Sequence, residues 1–269
     1  MKPKKLFNNL EKFERFKNPQ TVIITDIDGT ISKIATRPNE ATVSNSMKNV
    51  LIQIQKKFHH LIIITGRSLE DAFKMIDIPG AVYIGNHGME YMDDGLIILD
   101  EATVIYIPIF RELNEKLKND KNINIEGITL ETKETSTSIH YRRAQNPETT
   151  RKTILKTLNN MEETEKLKIK EGKKIIEIRP PIGNDKGKII NQIIKRYGTK
   201  KLIYLGDDVT DMDAFKQISQ LVENKTINGK SIVVCSNETP LTVSNSADYY
   251  VENVDSVETF LNGLYRTNP

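Results

Sequence analysis

With one cysteine among 269 residues, the chain has no internal disulfide framework, and a lone thiol suits a reducing compartment. That residue, Cys235, lies in the apolar run SIVVC, where a buried core thiol is expected. An excess of one charge is also lacking: 39 Lys and Arg against 36 Asp and Glu leave a formal net charge of +3, with both signs interspersed. This balance gives little support to nucleic-acid or membrane-surface binding. No uninterrupted apolar run is long enough to cross a bilayer. The beginning, MKPKKLFNNLEKFERF, is basic, but charges interrupt it before any apolar stretch reaches signal-peptide length. Internal repeats and low-complexity tracts are missing as well. The expectation is a soluble, cytoplasmic protein without nucleic-acid or membrane partners, of a length suited to one large domain or two unequal ones.

What is present is an alternation of short apolar runs with helical patterns. TVIIT (21–25) precedes a segment in which Val43, Met47, Val50, Leu51 and Ile54 recur at helical spacing; LIIIT (61–65), the helix-like SLEDAFKMI and AVYIG (81–85) follow. The rhythm returns after residue 185, where Ile189, Ile190, Ile193, Ile194 and Tyr197 mark a helix before KLIYLG (201–206), SIVVC and DYYVEN. Strands alternating with helices predict an α/β fold with a doubly wound parallel sheet. Between these parts the pattern is α+β: a helix through Phe110, Leu113 and Leu117, the runs INIEGITLETK and STSIHYR, a helix around Ile154, Leu155 and Leu158, then KLKIKEGKKIIEIRP with a turn at Glu171–Gly172. The expected organisation is a core of residues 1–103 and 183–269 with an inserted α+β cap at 104–182. Leu6, Leu10, Phe13 and Phe16 predict a short helix packed on the core.

Ligands of doubly wound sheets bind beyond the carboxyl ends of the strands. TVIIT ends in Asp26 and Asp28, LIIIT in Thr65–Gly66–Arg67, and KLIYLG in Asp207 and Asp208, so all three fall on one edge. Clustered carboxylates repel unless a cation neutralises them, and oxygen ligation of this kind suits Mg²⁺. Asp26, Asp207 and the Asp28 backbone carbonyl are the expected ligands, with Asp208 and Asp211 as further candidates. The bland alternative is a polar strand-to-loop turn, which a second acidic strand end in register makes less economical. Asp26 can attack phosphorus while Asp28 carries the proton, and Gly29 lets the loop turn with its amide near phosphoryl oxygens. Thr65 offers a hydroxyl and a backbone amide, and Lys186 stands at a predicted helix start that favours an anion. Arg67 reads either as a substrate contact or as an anchor of its loop through a carboxylate pair.

DIDGT, TGR, the lysine of NDKGK and GDDVTD resemble, in order, the four motifs of the haloacid dehalogenase (HAD) phosphatase superfamily, with an insertion resembling its C2-type cap. GNHGME (85–90), LETKETSTSIHYR (130–142), IIEIRPPIGNDKGKII (175–190) and GDDVTDMDAF (206–215) resemble the trehalose-6-phosphate phosphatases more closely. The resemblance runs from about residue 21 to 260. It implies a Rossmann-like core and Mg²⁺-dependent hydrolysis of trehalose 6-phosphate through an aspartyl-phosphate, in a cleft closing between core and cap. By position it implies Asp26 as nucleophile, Asp28 as general acid/base, Thr65 and Lys186 as phosphate binders and Asp207 as a metal ligand. Lys133, His140, Arg142 and Glu177 match sugar-recognition positions, and Asn86, His87, Gly88 and Glu90 are expected in the same cleft. Met212, where Glu is usual, and the segment between PP and DKGK depart from the pattern.

Strand alternation is consistent with the cap assignment, since it places Ser136, Ser138, His140 and Arg142 on one face and Glu177 and Arg179 on another strand's face. The same pattern also describes the solvated side of a half-buried sheet. Related phosphatases of sucrose 6-phosphate or glycosyl-3-phosphoglycerates remain alternatives, as does a catalytically inactive sugar-phosphate-binding module. A protein of this kind could work beside a separate trehalose-6-phosphate synthase, which the sequence does not show.

Overall fold

The computed structural model describes residues 2–35, 40–99, 101–172, 174–182, 185–236 and 239–266. The first elements are β1 (Lys4–Lys5), β2 (Thr21–Thr25), α1 (Asn45–Lys57), β3 (His60–Ile64), α2 (Leu69–Ile76), β4 (Val82–Gly85), β5 (Glu90–Asp93) and β6 (Leu96–Leu99). They are followed by α3 (Glu101–Val104), α4 (Ile107–Asn119), β7 (Thr129–Thr132), β8 (Thr137–His140), α5 (Pro147–Asn159), α6 (Glu162–Glu165), β9 (Lys168–Gly172) and β10 (Ile175–Arg179). The last are α7 (Lys186–Tyr197), β11 (Lys201–Gly206), α8 (Asp211–Glu223), β12 (Asn228–Val234), α9 (Leu241–Ser244), β13 (Tyr249–Val251) and α10 (Val254–Tyr265).

The chain divides into two compact units, Met1–Ile98 with Asn184–Pro269, and Leu99–Gly183. The first is built on a nine-stranded sheet in the order β1-β13-β12-β11-β2-β3-β4-β5-β6. From β1 to β4 every neighbouring pair is parallel, and β5 joins β4 antiparallel. TVIIT and its neighbours are apolar on both faces because helices cover both. Ile23, Leu61, Ile63, Ile203 and Leu205 pack with α1, α2 and α10 on one face. Val22, Ile24, Ile62, Ile64, Leu202 and Tyr204 pack with α7 and α8 on the other. Each fully buried Ile or Leu contributes roughly 1.5–3 kcal/mol relative to exposure.

Leu99–Gly183 has its own core. Its antiparallel sheet, ordered β7-β8-β10-β9, turns Ile139, Ile176 and Ile178 against Phe110, Leu113 and Leu117 of α4 and Ile154 and Leu158 of α5. The closing pair of the last hairpin is Ile175 with Gly172, so the turn lies beyond Glu171–Gly172, towards Lys174, whose φ is +64°. Of INIEGITLETK only Thr129–Thr132 is strand, because the stretch from Asp120 to Ile128 is taken up by successive backbone turns.

The N-terminal segment forms two 3₁₀ turns, Leu6–Asn8 and Leu10–Phe16, rather than one short α-helix. Leu6, Phe13 and Phe16 are buried, with the Phe13 ring 5.0 Å from those of Tyr249 and Phe260, whereas Leu10 is exposed. Pairing of β1 with β13 draws this segment onto the sheet edge. Cys235 is partly rather than fully buried, because it lies one residue past the end of β12. Among the described residues, no helix is long and apolar enough to cross a membrane.

Candidate active site

The sheet places its acidic residues through strand parity. The Asp26 N–H donates to the Leu205 carbonyl at 3.0 Å, continuing the ladder past β2, so its side chain keeps the face of Ile24. That is the face on which α7 begins, with Asp185 capping the helix and Lys186 at its first position. Lys186 is 4% exposed, and its Nζ lies 3.1 Å from Asp26 Oδ1 and 2.6 Å from Asp211 Oδ1. Burial opposes the lysine's charge, but the Asp211 and Asp26 carboxylates outweigh it and hold its pKa above the ordinary value. The ammonium is therefore a fixed cation beside Asp26.

Asp211, the first residue of α8, ties the loop after β11 to the helix. Its Oδ2 accepts the backbone N–H groups of Asp207 and Asp208, both at 3.0 Å, while its Oδ1 accepts Lys186 and the Tyr204 hydroxyl, both at 2.6 Å. One oxygen each from Asp26, Asp207 and Asp211 lie within 4.8 Å of one another. Burial pushes the Asp26 carboxyl upward against the pull of Lys186. Burial, reinforced by Asp26, Asp211 and Asp208, pushes Asp207 up to about 8. Gly29 closes against this group with φ +79°, and a Cβ there would sit 2.0 Å from Asp207 Oδ2. Only glycine fits a left-handed position so close to a carboxylate.

Asp28 points elsewhere. Its two oxygens receive Arg67 Nε at 2.7 Å and Nη2 at 2.6 Å, a bidentate pair joining the β2 and β3 loops. Of the two sequence readings of Arg67, the loop anchor is the one this geometry shows. The Thr65 amide is spent on the Ile84 carbonyl at 2.9 Å, so it cannot serve a phosphate as the sequence suggested; the Thr65 hydroxyl accepts the Arg67 N–H at 3.1 Å. Asn86, His87 and Gly88 take left-handed φ values of +50°, +57° and +90° in succession. Such backbone costs of order 1–3 kcal/mol per non-glycine residue. It is held because the Asn86 N–H donates to the Arg67 carbonyl at 2.7 Å and the His87 N–H to the Thr65 carbonyl at 3.1 Å. The turn lays the His87 ring on Gly66, where a Cβ would meet Nε2 at 2.6 Å. Glu90 accepts from the Asn86 amide at 3.3 Å and the Leu69 N–H at 3.2 Å, so these two brace the loops.

In the Leu99–Gly183 unit, strand register sets Glu131, Ser138 and Glu177 in one cross-strand row. Glu131 is held down at about 2, first by its hydrogen bond to His140, against burial, and then by Lys133. Lys133 Nζ lies 3.1 Å and His140 Nε2 3.3 Å from its carboxylate, and Arg179 pairs with Glu177 at 2.7 Å. The alternation expected for Ser136 to Arg142 holds only within β8, since Ser136 is buried before the strand and Arg142 is exposed in the turn after it.

The sequence model of the family described as trehalose-phosphatase matches residues 24–255. The chain belongs to the trehalose-phosphatase family. A trehalose-phosphate phosphatase of Mycobacterium marinum is 31% identical over 226 residues, covering 82% of this chain and 55% of its own length. A probable trehalose-phosphate phosphatase D of Arabidopsis thaliana is 29% identical over 267 residues, 93% of this chain and 69% of its own. The chain thus spans about half the length of the mycobacterial relative. In fold it is similar to a trehalose-6-phosphate phosphatase related protein, with a TM-score of 0.73, 21% identity and coverage of 91% and 96%. The C-terminal domain of a Candida albicans trehalose-6-phosphate phosphatase aligns at 0.67, with 21% identity and 98% of both chains.

The trehalose-phosphatase family implies a divalent metal, and the donor set fits one. Carboxylates held this close in a buried setting call for a cation beyond Lys186, and hard oxygen donors are what such an ion takes. Asp26, Asp207 and Asp211 together could hold such an ion, and Asp211 is the one whose two oxygens already accept four donors. Asp208 is exposed on the same loop. Three residues, two beside the acidic group and one in the polar row of the second unit, had no role in the sequence reading. Thr30, whose hydroxyl donates to Asp207 Oδ1 at 3.4 Å, was visible in DIDGT; Tyr204 was visible as a phenol inside a buried strand; Glu131 was visible two residues from Lys133.

Proposed function

We propose that the protein is a Mg²⁺-dependent phosphatase that hydrolyses trehalose 6-phosphate to trehalose and phosphate. The observation that carries this reading is the grouping of buried Asp26 and Lys186 with half-buried Asp207 at the carboxyl ends of the central strands in a chain of the trehalose-phosphatase family. Held by Asp26 and Asp207, Mg²⁺ would supply positive charge that keeps both ionised and offsets the charge of a phosphoryl group. Asp26 attacks phosphorus, and the P–O bond to the sugar breaks as Asp28, turned from Arg67 and carrying the proton taken from water in the previous cycle, donates that proton to the departing oxygen. Asp28 then takes a proton from water, which attacks the aspartyl-phosphate, releases phosphate and restores the Asp26 carboxylate. Lys186 stabilises the charge on the transferring group, and Arg67 orients Asp28.

The Leu99–Gly183 unit serves as the substrate-choosing cap, its row of Glu131, Ser138 and Glu177 with Lys133 and His140 offering the donors and acceptors that sugar hydroxyls require. A glycosyltransferase that joins two sugars, one of them already phosphorylated, must supply the substrate. The even charge balance and single thiol support a cytoplasmic setting.

The test is phosphate release, with and without Mg²⁺, from trehalose 6-phosphate, sucrose 6-phosphate, glucose 6-phosphate and mannosyl- and glucosyl-3-phosphoglycerate. A metal-dependent preference in kcat/KM for trehalose 6-phosphate is expected, together with loss of turnover and retention of fold in Asp26→Asn. Preference for another ester would overturn the substrate, and substantial activity in Asp26→Asn would overturn the aspartyl-phosphate route.

A further inference from the structure

Tyr204 stands two residues before the end of β11, on the same sheet face as its register partner Ile24. It is fully buried, its ring edge-on to Phe215 with centroids 5.7 Å apart. A phenol removed from water needs an acceptor. The one it finds is Asp211 Oδ1, at 2.6 Å, the same oxygen that receives Lys186 at 2.6 Å. Lys186 is thus shared unequally, nearer to Asp211 than to Asp26 at 3.1 Å.

This sharing has an electrostatic consequence. Three donors besides Lys186 satisfy the Asp211 carboxylate: the phenol and the amides of Asp207 and Asp208. Donors on one carboxylate compete for its charge, so a carboxylate with four of them holds an ammonium less tightly than a bare one. Without the phenol, Oδ1 would have Lys186 as its remaining donor, and the ammonium would move towards Asp211 and away from Asp26.

We propose that Tyr204 is a positioning residue for phosphoryl transfer, acting through Asp211 to set where Lys186 presents its charge. The proposal rests on the reading of this site as a phosphatase. Tyr204→Phe keeps the ring against Phe215 and removes one O–H. Phe215→Leu loosens the same packing and leaves the hydrogen bond.

Both variants and the wild type are compared by kcat and KM on trehalose 6-phosphate and p-nitrophenyl phosphate, with Mg²⁺, and by melting temperature. For Tyr204→Phe, kcat is expected to fall about tenfold on both esters with KM changed less than about twofold, because Lys186 serves the phosphoryl group common to them. Phe215→Leu is expected to keep kcat within about twofold of the wild type while losing at least as much melting temperature. An unchanged kcat in Tyr204→Phe, or an equal fall in Phe215→Leu, would overturn the proposal. Wild-type turnover of p-nitrophenyl phosphate alone would overturn the sugar reading while the Tyr204 comparison is decided on that ester. A wild type inert on both would overturn the two together.

Discussion

At Asp207, burial and three neighbouring carboxylates push in one direction, raising the group to about 8. An unfolded aspartate titrates near 3.9, so between those values the native state holds the proton that the unfolded state has lost. The stability of the chelated protein must then fall as pH rises through that window. Asp207→Asn removes this term, and we expect the variant to melt a few degrees above the wild type at pH 8 in the presence of a chelator, with the gap closing near pH 4. Added Mg²⁺ should raise the melting temperature of the wild type and leave the variant unmoved. Calorimetric scans at the two pH values check both statements, and a variant that still gains from Mg²⁺ would remove Asp207 from the ligand set. The acidic pairs themselves were legible in the chain, because strand ends in a parallel sheet share an edge. Their division of labour was not: Asp28 turns to Arg67 and Asp211 to Lys186 and Tyr204 only because side chains far apart in sequence meet there.

Strand register gives the second unit its polar face. Because Glu131 and Glu177 both stand opposite Ser138, one row crosses β7, β8 and β10, while Ile139, Ile176 and Ile178 fill the core behind it. Glu177→Gln leaves that core intact and changes the charge of the row. We expect KM for trehalose 6-phosphate to rise about tenfold while kcat/KM for p-nitrophenyl phosphate stays within about twofold, the signature of lost sugar binding. Equal losses on both esters would move Glu177 out of sugar recognition. Alternation made this face readable from sequence within β8, but not its limits, since a strand ends where its partner's pairing ends. The β2 loop shows the same division. DIDGT announced a tight turn, yet the reason it needs glycine is the Asp207 carboxylate 2.0 Å from where a Cβ would stand, supplied from residue 207. Gly29→Ala should therefore lose metal-dependent turnover while circular dichroism stays native-like, and an active alanine variant would refute the close fit.

The whole molecule combines a sheet assembled from both ends of the chain with a continuous insert, Leu99–Gly183, that has a core of its own. An insert with four strands and helices on one face of them meets the requirements of an independent domain. Residues 99–183 expressed alone are expected to give a cooperative thermal transition and dispersed amide resonances. A disordered spectrum would show that the insert depends on the rest of the chain. By itself the sequence determined the α/β alternation, the six core strands from TVIIT to DYYVEN though not β1, β5 or β6, the acidic edge and the α+β character of the insert. Each of these follows from local periodicity and from the chemistry of strand ends, which short stretches carry in full. Tertiary structure alone decided that Arg67 anchors Asp28, that the Thr65 amide belongs to the sheet, that Asp211 accepts Lys186 and two loop amides, and that Tyr204 shares an Asp211 oxygen with Lys186. Those outcomes depend on hydrogen-bond partners contributed by other strands and loops, and no local pattern says which donor reaches a buried acceptor first.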